Sequence, residues 1–156
     1  MELIKCFSSE RYSRALEAWT WLGLEGKVPV FTSLLGDVFF QSETGFWFLD
    51  TVDGTITRAW ATEDELRGSL RSVAGQDRYL LAGLAEAAAR VLGALEAPQV
   101  YDFKTPPVLG GQIDVANLGR MDFVVSVNIA GQLHQQVKNR PAGARISGIR
   151  VEGPDS

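Results

Sequence analysis

GDVFFQSETGFWFLDTVDGTITRAW, residues 36–60, is the stretch whose reading decides the fold. Aromatic and β-branched runs alternate with turn formers, a pattern that predicts three short antiparallel strands. Glu43-Thr44-Gly45 is expected to close the first hairpin, and Asp53-Gly54, set between apolar runs, the second. Successive strand side chains point to opposite faces. In the central strand Phe46 and Phe48 therefore share one face, and Trp47 and Leu49 the other. A sheet apolar on both sides must be covered on both, and the rest of the chain reads as that cover.

Upstream, Ser8 is a candidate N-cap with Glu10 in the first turn, and Tyr12, Leu16 and Trp19 recur at helical spacing. Gly23 and Gly26 end that helix, and the proline in Val28–Phe31 predicts an edge or a strand start. Downstream, Thr62 and Glu65 form a capping box, with Leu66, Leu70 and Val73 as the inward stripe. A longer helix is expected from Asp77 to Leu95, burying Leu84, Ala88, Val91 and Leu95. Val100–Gly111 reads as a strand and then a shaped loop, because Pro106 and Pro107 break regular helix. Residues 112–118 fit either a strand or a short helical turn. Met121–Ile129 alternates Phe123, Val125, Val127 and Ile129 with more polar residues and predicts a strand, followed by a short helix over Ala130–Lys138. A turn at Pro141-Ala142-Gly143 and a last strand over Arg145–Val151 complete the reading.

The expected fold class is α+β: one domain in which a curved, mainly antiparallel sheet is packed by N-terminal and central helices. It comprises an N-terminal helix region (1–27), a β-meander (28–60), helices (61–97) and C-terminal strands with a short helix (98–151).

A chain of 156 residues with 46% hydrophobic and 22% charged residues can bury a sizeable core. Cys6 is the only cysteine, which excludes an internal disulfide and fits a reducing cytosol. No apolar run is long enough to span a membrane, and the N-terminus MELIKCFSSERYS lacks the apolar core of a signal peptide. A net charge of −4 argues against nucleic acid as a direct ligand. The charge is uneven: seven acids face one base between Asp37 and Glu65, whereas Lys138–Arg150 holds four bases and no acid. Such asymmetry can steer a partner.

Catalytic signals are weak. His134 is the only histidine, which excludes a multi-histidine metal site. Ser33 or Ser126 can join it in a triad only on paper, because no GxSxG elbow is present. Gly110-Gly111 lacks both the following Lys-Ser/Thr and the GxGxxG of phosphate loops and reads as a tight turn. Asp37, Asp50 and Asp53 lie beside hairpin turns, where Asx-type bonding is the ordinary use of such residues. Trp19, Trp21, Trp47 and Trp60 are read chiefly as core, with one or two partly exposed rings as candidate anchors for a protein partner. No enzyme activity and no cofactor are expected.

Several blocks together resemble a known family. GDVFF, GFWFLDTVDG, Trp60–Leu70, YDFKTPPVLGG and MDFVVSVNIAGQLHQQV are similar to the C-terminal domain family of type VI secretion immunity proteins, the kind that protect against a DNase toxin. More broadly the chain looks like the immunity superfamily that includes the yeast cell-wall assembly regulator. The resemblance spans Val30–Val151, and its most specific part is PPVLGG followed by NIAGQLHQQV. It implies an α+β fold and a cytoplasmic, non-enzymatic protein that binds and neutralises a toxin. The matching positions are Gly36, Asp37, Gly45, Asp50, Gly54, Gly110, Gly111, Asn117, Gly131, Gln132 and His134, with the glycines expected to hold turns. In many members this domain follows a GAD-like domain; Met1–Pro29 are too few to form one. The partner expected is a cognate protein toxin, met by Asp37, Glu43, Asp53, Glu63 and Asp64, with no direct nucleic acid and no membrane. The alternative is a small-molecule binder or modest hydrolase with a pocket near Gly110, Gly111 and His134, to which Asn117 and Gln132 are candidate contributors.

Overall fold

The computed structural model describes residues 1–139 and 151–154. The turn at 141–143 and all but Val151 of the expected last strand lie outside the described residues. A two-residue strand β1 (Ile4–Lys5) leads into helix α1 (Ser9–Leu16), which continues as a 3-10 turn over Glu17–Leu22. Strands β2 (Val28–Ser33), β3 (Val38–Ser42), β4 (Gly45–Asp50) and β5 (Thr55–Trp60) follow. Three helices come next: α2 (Glu63–Arg71), α3 (Val73–Leu80) and α4 (Ala82–Leu92). Strand β6 (Gln99–Phe103), two short 3-10 turns, strand β7 (Leu118–Asp122) and helix α5 (Phe123–Lys138) complete the described fold.

The expected meander is present. Strands β1 to β5 form one antiparallel sheet in sequence order, and β6 and β7 form a separate antiparallel ribbon. Strand β1 pairs only with Thr32 and Ser33, which leaves the Pro29 end of β2 as an open edge, where proline is tolerated. The architecture is α+β, as the sequence predicts.

Both faces of the sheet are covered. On one, Val38, Phe40 and Leu49 pack with Tyr12, Leu16 and Trp19 from the N-terminal segment and Phe123, Val124 and Val127 from α5. On the other, Phe39, Phe46, Phe48 and Trp60 pack against Leu66 of α2 and Leu80 of α3. A third cluster joins Leu34 and Leu35 to Ala85 and Ala88 of α4, Tyr101 of β6 and Leu118 of β7. The Tyr101 N–H donates to the Leu34 carbonyl at 2.8 Å and fixes the ribbon to the end of β2.

Two expectations are corrected. Met121–Ile129 is not a strand: the strand ends at Asp122, and helix begins at Phe123. Asp122 caps it, accepting from the N–H groups of Val124 (2.9 Å) and Val125 (3.3 Å). The buried positions Phe123, Val124, Val127, Asn128, Gly131 and His134 follow a helical period, and their packing overrides the β preference of the valines. The long helix is also divided. Leu81 adopts a left-handed conformation (φ 47°) between α3 and α4. Leu80 is buried against the sheet and Ala85 and Ala88 against the ribbon, and one straight helix cannot serve two surfaces facing different ways. Val73 (77% exposed), which lies past the end of α2 at Arg71, and Val91 (67% exposed) leave their expected inward stripes. Val91→Ala should change stability by no more than about 0.5 kcal/mol. Ala85→Leu, which overfills a closed contact, should cost roughly 1–3 kcal/mol. Urea unfolding of both variants checks the division of the helix.

Candidate functional site

The exposed acids fall at two ends of the sheet. Glu43 is at the tip of the β3–β4 hairpin and Asp53 in the β4–β5 turn, at opposite ends of a six-residue strand; that separates them by roughly 20 Å. Strand β5 ends with Trp60 opposite Phe46, so Glu63 and Asp64, in the first turn of α2, share the Glu43 end. Both suit the positive end of that helix, and Glu63 also pairs with Arg67 at 2.9 Å. The sequence-predicted contacts thus divide into Glu43, Glu63 and Asp64 at one end and Asp53 at the other.

Asp37 belongs to neither group. It is 3% exposed and cannot touch a partner, which corrects its assignment as a contact. Its Oδ1 accepts from the N–H (2.8 Å) and hydroxyl (2.7 Å) of Thr51, and its Oδ2 from the Ser33 hydroxyl at 3.1 Å. The carboxylate latches the end of β2 to the β4–β5 turn. Burial, reinforced by the neighbouring Asp50, pushes its pKa up to about 6. Asp50 makes the expected Asx turn, accepting from the N–H groups of Val52 (2.9 Å) and Asp53 (3.0 Å).

The other motif positions hold backbone to backbone. The Asn117 side chain donates to the carbonyls of Thr105 (2.8 Å) and Gln112 (2.9 Å) and accepts from the Thr105 N–H (3.0 Å). A Cβ on Gly111 would lie 1.7 Å from the Thr105 carbonyl oxygen, so only glycine fits that clamp. Gln132 accepts from the Glu152 N–H at 2.7 Å and donates to Asn128 at 2.7 Å. His134, 7% exposed, donates from Nε2 to the Thr51 carbonyl at 2.9 Å. A Cβ on Gly54 would stand 2.4 Å from its Nδ1, and the positive φ of 73° also demands glycine there. These contacts bring the β4–β5 turn against α5.

No triad forms from the sequence candidates. Ser33 bonds Asp37, Ser126 donates to Asp102 at 2.5 Å, and His134 is engaged with a backbone carbonyl. Among the described residues no three metal-capable side chains converge, and no helix is long and apolar enough to cross a membrane. Trp19 is fully buried and donates to the Val127 carbonyl at 2.7 Å, and Trp60 is buried as well. Trp21 and Trp47 are half-buried under the ammonium groups of Lys138 and Lys27, at 4.9 and 4.2 Å from their rings.

A cavity of about 600 Å³ opens between the β4–β5 turn, the loop after β6 and α5. Its wall is largely apolar, including Phe103, Leu109, Met121, Ile129 and Leu133, and it contains the Asp102–Ser126 pair. His134 lines it; Gly110, Gly111, Asn117 and Gln132 do not. Sequence reading missed Asp102, whose only signal is a carboxylate within the apolar strand VYDF. Its partner Ser126 lies on α5, which the sequence assigns to a strand.

The arrangement is that of an α+β domain with an apolar cavity at one end of its sheet. Residues 70–134 match the family described as T6SS immunity protein Tdi1, C-terminal. That match supports the type VI secretion immunity protein family, the one the sequence resembles. It takes in the end of α2, α3, α4, the ribbon and most of α5, and leaves the meander outside. Among solved structures, the crystal structure of Atu4351 from Agrobacterium tumefaciens is similar in fold, with a TM-score of 0.55 at 19% identity. The likeness covers 83% of this chain but only 66% of that one, so about a third of the neighbour has no counterpart here. No curated protein gives a significant match.

Asp37 carries a pH signature. Its pKa rises from 3.8 to about 6 on folding, so between those values the folded state holds a proton that the unfolded state has lost. Stability should therefore fall as pH rises from about 4 to about 6, by on the order of 3 kcal/mol, and then level off. In Asp37→Asn this component should vanish, which chemical unfolding across that range will show.

Proposed function

We propose that the chain binds a type VI secretion toxin and neutralises it by occupying its surface, with no reaction of its own. The family match over residues 70–134 carries this reading. Two features support it: the candidate nucleophiles and the histidine are all committed to structural bonds, and the segment from Asp37 to Glu65 carries an excess of acids. The toxin is a nuclease in this reading. A nuclease must present positive charge to hold phosphates, so an acidic partner can cover that site and reach it quickly. Encounter takes place in the cytoplasm, where a nuclease would find its substrate.

The contact surface is the sheet end that carries Glu43, Glu63 and Asp64; Asp53, at the far end, is a second and separable candidate. The triple variant Glu43→Lys, Glu63→Lys, Asp64→Lys should slow association with the cognate toxin at least tenfold at low salt and flatten its salt dependence. Stopped-flow or biosensor kinetics will measure both. Unaltered kinetics in this variant would remove the electrostatic reading of that end, and Asp53→Lys reports on the other end independently.

A further inference from the structure

Apart from toxin binding, and independent of it, we infer that the cavity between α5, the β4–β5 turn and the loop after β6 is a binding site for a small organic amine with an apolar body. Its volume, about 600 Å³, falls within the roughly 300–1,000 Å³ of small-molecule sites, which are likewise apolar with a few convergent polar groups.

Asp102 defines the ligand's head. Its Oδ1 accepts the Ser126 hydroxyl, while Oδ2 has no hydrogen-bond partner among the described residues. Asp102 is half-buried in a wall it shares with Phe103, Ile129 and Leu133, so its free oxygen is short of water, and a donor that enters with the ligand completes its bonding. Burial raises the Asp102 pKa, in keeping with that lost hydration. A protonated amine supplies both the opposite charge and the donors. Two other groups of the wall matter for charge. His134 has its Nε2 engaged with Thr51, and Lys104 is exposed at the rim, where it repels a second cation and favours an orientation with the amine inward.

The mouth fits the ligand's body. Leu109, Met121 and Val151 are among the few large apolar side chains exposed on the described surface, and all three line this cavity. Exposed apolar groups scattered singly need no explanation, but three around one opening mark a site.

The test uses n-octylamine, protonated at neutral pH, with octan-1-ol and octanoate as comparators of equal chain length. Binding is followed by methyl NMR of Met121, Ile129 and Leu133. Octylamine should give saturable shifts at these methyls and bind at least tenfold more tightly than the alcohol, with octanoate weakest. Asp102→Asn keeps an acceptor for Ser126 and removes the charge, and should abolish the preference for amine over alcohol. Equal binding of the three ligands, shifts confined to other methyls, or no saturable shift would each overturn the inference. The ligand comparison in the unmodified chain stands even if the variant fails to fold.

Discussion

The structure depends on a sheet that cannot leave either face in water. Phe39, Phe46 and Phe48 on one side and Val38, Phe40 and Leu49 on the other are all buried. Each large side chain gains roughly 1.5–3 kcal/mol from that burial. Neither face can be served by the same helices, because the sheet stands between them. The chain therefore divides its cover: the N-terminal segment and α5 on one face, α2 and α3 on the other. The placement of almost every other element follows from this division.

Polar residues at the seams fix how the cover attaches. Asp37 binds the β4–β5 turn through Thr51, and the same residue's carbonyl receives His134 from α5. Gly54 lets the histidine ring lie directly against the turn. One turn earlier on α5, Gly131 comes so near Ala18 that a Cβ would lie 2.6 Å from its carbonyl oxygen. Gly54, Gly111 and Gly131 are thus positions of close approach between elements. They account for how the cover is held to the sheet.

The meander was legible because its signals are local. Turn formers and two-residue alternation each act within a few positions, and Ser8 and Thr62 cap their helices as read. The α5 segment was not legible for the same reason. Phe123, Val125, Val127 and Ile129 alternate like a strand, and what makes them helical is a cap from Asp122 and contacts with Trp19 and Tyr12 more than a hundred residues away. Leu81 gives no local warning of its left-handed turn, since neither glycine nor proline stands at the break. The burial of Asp37 was hidden too: an aspartate beside a glycine reads as an exposed turn residue, and only Ser33 and Thr51, brought together by the sheet register, make it an interior one. The Asp102–Ser126 pair joins a ribbon strand to a helix, a proximity that no sequence spacing encodes.

The division of the cover has a consequence for how the chain may be cut. The segment recognised as the family's begins inside α2 and stops at His134, without the strands that α3 and α5 clothe. Excised on its own, it would carry two greasy surfaces with nothing to lie on, and Phe123, Val124 and Leu80 would be left seeking one another or another molecule. The matched segment is here cover for a sheet supplied by the residues that precede it. The packed body is larger than the matched segment.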